Sequence, residues 1–212
     1  MESLEILGET LRADLAARNA ARDEALRRSR ELVRLCGTAI RAAHREEWQA
    51  AHDLLAQADI VGAEMADLLQ PYPDLLYAGY TQDGLKELVE AHLTVALLTH
   101  APLPPPERFG VPSATYLGGL CEAASELRRR CLDLLRQQRT DEAEPLLEAM
   151  DDIYDLLMTY DFPDAITGGL RHRVDQLRGV LERTRGDVTQ ALRQDRLLAA
   201  LGRFEEQVGG AG

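Results

Sequence analysis

Apolar residues recur at the three- and four-residue spacing of an α-helix along almost the whole chain, and no segment alternates like a β-strand. Prolines, glycines and polar turns divide this pattern into six predicted helices. Their predicted ranges are residues 3–43, 46–69, 75–100, 113–138, 140–161 and 167–207. Helices of this length predict an all-α fold: one domain, residues 1–212, built as a bundle of six to seven antiparallel helices.

The composition agrees with a helical globular protein, because 45% of the residues are hydrophobic and only 5% are aromatic. The three cysteines form no spaced pair, so we expect small buried thiols and neither a disulfide framework nor a zinc site; they are Cys36, Cys121 and Cys131. The N-terminus lacks the pattern of a signal peptide, and no apolar run reaches the ~18 residues of a membrane span. We therefore expect a cytoplasmic protein with no membrane partner.

The net charge of −12 argues against an open nucleic-acid-binding surface, but the cations are unevenly spread. Residues 21–45 contain seven arginines against three acids, and a second group of arginines lies between residues 171 and 185. Lys86 is the only lysine. Guanidinium groups pair with phosphate and with carboxylate alike, so salt bridges within or between subunits remain an alternative to nucleic-acid binding.

Two carboxylates interrupt an otherwise apolar helix in the stretch KELVEAHLTVALLTH, residues 86–100. Glu87 and Glu90 are three residues apart and therefore share a helix face. A buried acid needs an arginine, a proton or a metal to offset its desolvation, and a structural salt bridge remains open beside a Mg²⁺ or Mn²⁺ site. His92, on the apolar side, is expected to be a hydrogen-bonded core histidine. No Glu-x-x-His pair, phosphate-binding loop or Gly-x-Ser-x-Gly elbow is present.

Five segments, in order, resemble one family. SRELVRLCGTAIRAAHR (29–45) and KELVEA (86–91) are similar to segments of translin-associated factor X. YLGGLCEAASELRRR (116–130) resembles a segment that translin and translin-associated factor X share. IYDLL (153–157) lies where the family has Tyr-Asp or Leu-Asp. LRHRVDQLRGVLERTRGDV (170–188) resembles the last of the family's sequence patterns. Departures include Ser125 for the usual glycine, Gly118 for a bulkier residue and Leu88 for tyrosine. None of these departures removes an acid.

The resemblance implies an all-α, translin-like subunit of a hollow oligomer, with a homo-octamer as the expected assembly. It also implies a Mg²⁺-dependent endoribonuclease that acts on single-stranded RNA inside the cage and binds single-stranded RNA or DNA. By motif, Glu87, Glu90 and Asp155 match the catalytic acids that would hold Mg²⁺ (or Mn²⁺), and Glu126 matches a fourth catalytic member. The arginines expected to bind the backbone of the nucleic acid are Arg27, Arg30, Arg34, Arg41, Arg45, Arg171, Arg173 and Arg178.

Two alternatives from other classes stay open on the sequence. One is a translin-like oligomer that binds RNA or single-stranded DNA without cutting it. The other is a helical bundle with no nucleic-acid partner, such as a regulatory protein. Metal-dependent cleavage of RNA would distinguish the nuclease from the oligomer that only binds. Absence of RNA binding at low salt would favour the helical bundle with no nucleic-acid partner.

Overall fold

The structure of the chain is a computed structural model that describes residues 2–209, with side chains from residue 3 to 207. Within this range the chain is 86% helical and contains no strand, which confirms the predicted all-α class. The elements are α1 (Glu2–His44), α2 (Trp48–Leu69), α3 (Pro73–Leu76), α4 (Gly79–Leu98), a 3₁₀ turn (Pro106–Arg108), α5 (Ser113–Arg136), α6 (Thr140–Met158), α7 (Asp164–Thr167) and α8 (Leu170–Gly209).

The helix boundaries add detail to the sequence prediction at two places. Gly79 and Gly84 predict an interruption early in the third helical region, and the structure divides this region: a one-turn helix, α3, has Pro73 in its first turn, and α4 begins at Gly79. A second one-turn helix, α7, precedes α8 and ends at Gly168, whose positive φ of 59° is left-handed. Gly169 follows with a φ of 79°. Both residues of the connection between α7 and α8 therefore have a positive φ, which glycine adopts without the steric penalty of a Cβ atom.

The chain folds into two compact units. The first unit contains the chain up to Ala96 together with Leu103–Gly119. In it α1 packs along α2, and buried leucines and small residues of both helices form the core, among them Leu32, Leu35, Leu55 and Met65. An ion pair between Arg28 and Glu64 joins the same two helices at the solvent edge.

The second unit contains Leu97–Pro102 and the chain from Leu120 onward. Its central contact is between α6 and α8. Met150 and Leu157 of α6 are fully or almost fully buried, as are Leu177 and Leu181 of α8. Burying each such side chain contributes roughly 1.5–3 kcal/mol, so the apolar stripes recognised in the sequence hold this unit together. None of the described helices is long and apolar enough to cross a membrane.

Gly119, in the first unit, marks a close approach between the start of α5 and α4. A Cβ at this position would lie 2.7 Å from Cγ1 of Val89 and 3.0 Å from the carbonyl oxygen of Lys86. Backbone cannot yield as a flexible side-chain end can, so Gly119→Ala should lower the free energy of unfolding by about 3 kcal/mol. Thermal unfolding should show this as a fall in Tm of about 6–12 °C.

The matched control for Gly119→Ala is Gly186→Ala in α8, where no heavy atom lies within 4 Å of the new Cβ. Alanine forms helix better than glycine by about 1 kcal/mol, so this variant should be slightly more stable than the wild type. Equal Tm values for the two variants would contradict the close approach at Gly119.

Candidate functional site

Glu87 and Glu90 lie on α4 in the first unit, and each can offer a carboxylate oxygen within 4.8 Å of the other. Glu90 is 8% exposed and Glu87 is half-buried. The backbone around them is held by a buried apolar helix face that includes Val89 and Leu93, both fully buried. The prediction of a paired, largely buried set of acids on one helix face is therefore confirmed.

Lys86 supplies a positive charge that the sequence interpretation did not anticipate. Its ammonium group lies 3.3 Å from the carboxylate of Glu87, and the residue is 9% exposed. This ion pair places a positive charge directly beside the two acids. Helical periodicity indicates pairs of residues that are three or four positions apart. It does not indicate a pair of adjacent residues such as Lys86 and Glu87.

The Cys36 thiol of α1 lies in the electric field of the two acids. Burial raises the pKa of this thiol, and the negative charges of Glu87 and Glu90 raise it further. Cys36, Cys121 and Cys131 are all buried, which confirms the prediction of small buried thiols. The carboxylate oxygens of Glu87 and Glu90 are ligands of the type that Mg²⁺ and Mn²⁺ prefer.

Thr94 lies one helical turn beyond Glu90. Its side chain is fully buried, and its hydroxyl oxygen makes no hydrogen bond to any residue that the structure describes. At 100° per residue, Thr94 falls about 20° from Glu87 and about 40° from Glu90 around α4. A polar atom without a partner is therefore buried on the same helix face as the two acids.

His92 is a buried histidine with a hydrogen-bond partner, as predicted. Its Nε2 lies 2.8 Å from one carboxylate oxygen of Asp59 on α2, and Arg108 donates to the other oxygen at 2.9 Å. Burial by itself would raise the pKa of Asp59, but the hydrogen bond and charge of His92 and the charge of Arg108 lower it below its usual value. With Phe109, which packs edge-on against His92, these contacts fasten the segment around the 3₁₀ turn (Pro106–Arg108) to α2 and α4. This cluster of His92, Asp59 and Arg108 has a structural role. Helical periodicity could not predict it, because the three residues are far apart in sequence.

The other two predicted acids belong to the second unit. Glu126 is half-buried on α5, and Asp155 is exposed on α6. The neighbouring Glu122 is also half-buried and pairs with Arg173 of α8 at 3.4 Å. That Glu126 and Asp155 act together with Glu87 and Glu90 stays a prediction.

The predicted arginines of α1 form a continuous basic stripe. Because a helix turns 100° per residue, four of these arginines fall within a sector of about 60°, and no acid of residues 27–44 shares it. They are Arg27, Arg30, Arg34 and Arg41; the fifth predicted arginine, Arg45, lies in the turn that follows α1. Arg27 pairs with Glu24 and Glu31, and Arg45 pairs with Glu47, so these two are partly neutralised.

Three arginines of the stripe remain available to a ligand, and we call them the basic triad. Arg30, Arg34 and Arg41 are exposed and make no ion pair with any described residue. They extend over about 16 Å of the helix axis. Arg41 donates a hydrogen bond to the hydroxyl of Thr38, which orients its guanidinium group but leaves its charge uncompensated.

The arginines of α8 behave differently. Arg171 and Arg178 are exposed, but Asp175 and Glu182 lie on the same side of the helix and alternate with them. Arg173 is half-buried and is engaged by Glu122 and by the carbonyl oxygen of Gly168. That α8 binds the backbone of a nucleic acid stays a prediction. The mixed charge of this helix makes it a weaker anion-binding surface than α1.

No family model matches the chain. An uncharacterised protein, MJ0175 of Methanocaldococcus jannaschii, is 27% identical over 194 residues, which cover 90% of this chain and 85% of that protein. Two archaeal structures are similar at a TM-score of 0.80: AfC3PO, 32% identical over 89% of this chain and 98% of its own, and AfC3PO in complex with duplex RNA, 31% identical over 89% and 97%. The chain belongs to the translin superfamily.

The fungal apo-NeC3PO structure has a TM-score of 0.79 over 86% of this chain and 96% of its own, with 19% identity, and it supports the translin fold alone. Membership of the translin superfamily confirms the resemblance drawn from five short segments. It places the Glu87–Glu90 pair and the basic stripe of α1 on a translin-type subunit. The roles of the individual acids remain to be tested by experiment.

Proposed function

We propose that this protein is a Mg²⁺-dependent endoribonuclease that cuts single-stranded RNA inside an oligomeric cage and also binds single-stranded nucleic acid. The observation that carries the proposal is the pair of carboxylates, Glu87 and Glu90, side by side on one face of α4. The 31% identity to a protein crystallised with duplex RNA supports RNA as the ligand class.

The donor set near Glu87 and Glu90 fits a hard divalent cation. Mg²⁺ sites in proteins commonly use one or two carboxylates, several waters and oxygens of a substrate phosphate, and a pair of acids meets that requirement. When bound, Mg²⁺ or Mn²⁺ would stabilise negative charge at the scissile phosphate and lower the pKa of a bound water. The ion pair with Lys86 would orient the Glu87 carboxylate. By resemblance, Asp155 is proposed as a third ligand, and Glu126 as a ligand or a residue that positions water.

The basic triad on α1 is the surface proposed to hold the RNA backbone. Phosphate contacts made by arginine supply sequence-independent affinity, which suits an enzyme that accepts many RNAs. The triad also resolves the conflict with a net charge of −12, because a locally basic helix face can attract a strand within an otherwise acidic protein. Arg171 and Arg178 are proposed to make further phosphate contacts.

Assembly of several copies is proposed from the exposed apolar side chains at the start of α1. Four leucines of this segment are between 53% and 72% exposed and fall within a sector of about 80°; they are Leu4, Leu7, Leu11 and Leu15. A stripe of this kind matches the face that a helix presents to another helix. We propose that a second copy of the chain covers it and that the assembly is a homo-octamer, as the family resemblance implies.

The test is cleavage of a labelled single-stranded RNA by the purified oligomer, whose mass is measured by light scattering on the same sample. Cleavage is expected with Mg²⁺, none with EDTA, and recovery when Mg²⁺ is restored in excess. Cleavage that persists in EDTA, or its absence under every condition, would contradict the catalytic proposal. Salt-dependent RNA binding without cleavage would select the non-catalytic, RNA-binding oligomer instead.

A further inference from the structure

Thr94 is the one buried threonine of the described residues whose hydroxyl makes no hydrogen bond; among buried hydroxyls it shares this property with Tyr80. Thr81, in the same helix, is equally buried and donates to the carbonyl oxygen of Leu75 at 2.9 Å. Three helical threonines donate to the carbonyl four residues earlier, at 2.7 to 3.0 Å: Thr10 to Ile6, Thr38 to Arg34 and Thr184 to Val180. The corresponding acceptor for Thr94 is the carbonyl of Glu90, yet its hydroxyl does not take that bond.

A fully buried hydroxyl without a partner is destabilising, since it has lost its hydrogen bonds to water and gained none in return. Folded proteins keep few such groups, and each one calls for a ligand, an ion or another reason. Because Thr94 follows Glu90 by four residues, their Cβ atoms are neighbours at about 5–6 Å on one helix face. Thr94 therefore lies one turn from Glu90 and two turns from Glu87 on the helix face that carries both acids.

We propose that Thr94 is a positioning residue of the metal site: its hydroxyl hydrogen-bonds an oxygen ligand of the divalent cation held by Glu87 and Glu90. That ligand is a water when no RNA is bound. This inference rests on the proposed function, because it needs a cation at the acid pair. Groups that hydrogen-bond the ligands of a metal commonly change its affinity by about 10- to 100-fold when they are removed.

The inference predicts opposite effects on stability and on metal binding. Thr94→Val keeps the shape of the side chain and removes the hydroxyl, so the metal-free protein should become more stable, with Tm in EDTA raised by about 2–4 °C. The same variant should bind Mn²⁺, measured by electron paramagnetic resonance of the free ion, about 10- to 100-fold more weakly. Thr94→Ser retains the hydroxyl and should bind Mn²⁺ with nearly wild-type affinity.

Thr81→Val is the matched control, because it removes a hydroxyl of equal burial in the same helix that does have a partner. It should lower Tm and leave the Mn²⁺ affinity unchanged. Glu90→Gln serves as the variant without a metal site.

The outcomes separate this inference from the proposed function. If the wild type binds Mn²⁺ no better than Glu90→Gln, the proposed metal site fails and the role of Thr94 fails with it. If the wild type binds Mn²⁺ and Thr94→Val binds it equally well, the metal site stands and the role of Thr94 is overturned. A lower Tm for Thr94→Val, or a loss of Mn²⁺ binding in both Thr94 variants, would assign the residue to packing and overturn the inference as well.

Discussion

Glu90→Gln is expected to lower the rate of Mg²⁺-dependent RNA cleavage by about a thousandfold. The amide has nearly the same size as the carboxylate but carries no charge, so a ligand that offsets the charge of the cation is lost. Metal ions contribute several kcal/mol of charge stabilisation in the transition state, and each 1.36 kcal/mol changes the rate tenfold. The measurement is single-turnover cleavage of a labelled single-stranded RNA at saturating Mg²⁺.

The effect of Glu90→Gln should be much larger in the rate of cleavage than in RNA affinity, because the proposed backbone contacts are made by the arginines of α1, which this variant leaves in place. Glu148→Gln makes the same chemical change at an exposed position of α6 and should leave the rate unchanged. A Glu90→Gln enzyme that cuts RNA at the rate of the Glu148→Gln enzyme would remove Glu90 from the catalytic site.

Replacing the basic triad, Arg30, Arg34 and Arg41, by glutamine is expected to weaken single-stranded RNA binding by about a hundredfold or more at low salt. Each hydrogen bond to a charged group contributes on the order of 1.5 kcal/mol, and three are lost in each subunit. The dependence of binding on salt should also become shallower, by about 2 in the slope of log K against log salt, because fewer counterions are released. Titrations at several salt concentrations measure both quantities.

A second triple variant controls for the change in net charge. Arg193, Arg196 and Arg203 of α8 are exposed and make no ion pair with any described residue, so replacing them by glutamine removes the same charge from another surface. RNA affinity and salt slope should both stay close to wild type in this variant. Equal losses in the two triple variants would mean that the RNA responds to net charge alone and would contradict a binding surface on α1.

Local periodicity was sufficient to predict features that lie within one helix. The long first helix was expected over residues 3–43 and is found at Glu2–His44, because its apolar spacing follows the 3.6-residue turn. The shared face of Glu87 and Glu90 and the stripe of α1 arginines follow from the same geometry. The pairing of Arg27 with Glu24 was within reach of this reasoning too, since the two residues are three positions apart.

The tertiary structure decided which of these groups have partners. The sequence determined an all-α protein of the translin superfamily with two acids on one helix face. It did not reveal that Asp59, 33 residues away, engages His92, or that Lys86 is buried beside Glu87. Nor did it distinguish Thr94 from other helical threonines, because all of them have a carbonyl four residues earlier. Only packing around the helix determines whether a hydroxyl takes that bond or stays available to a ligand, since burial and hydrogen-bond partners depend on residues distant in sequence.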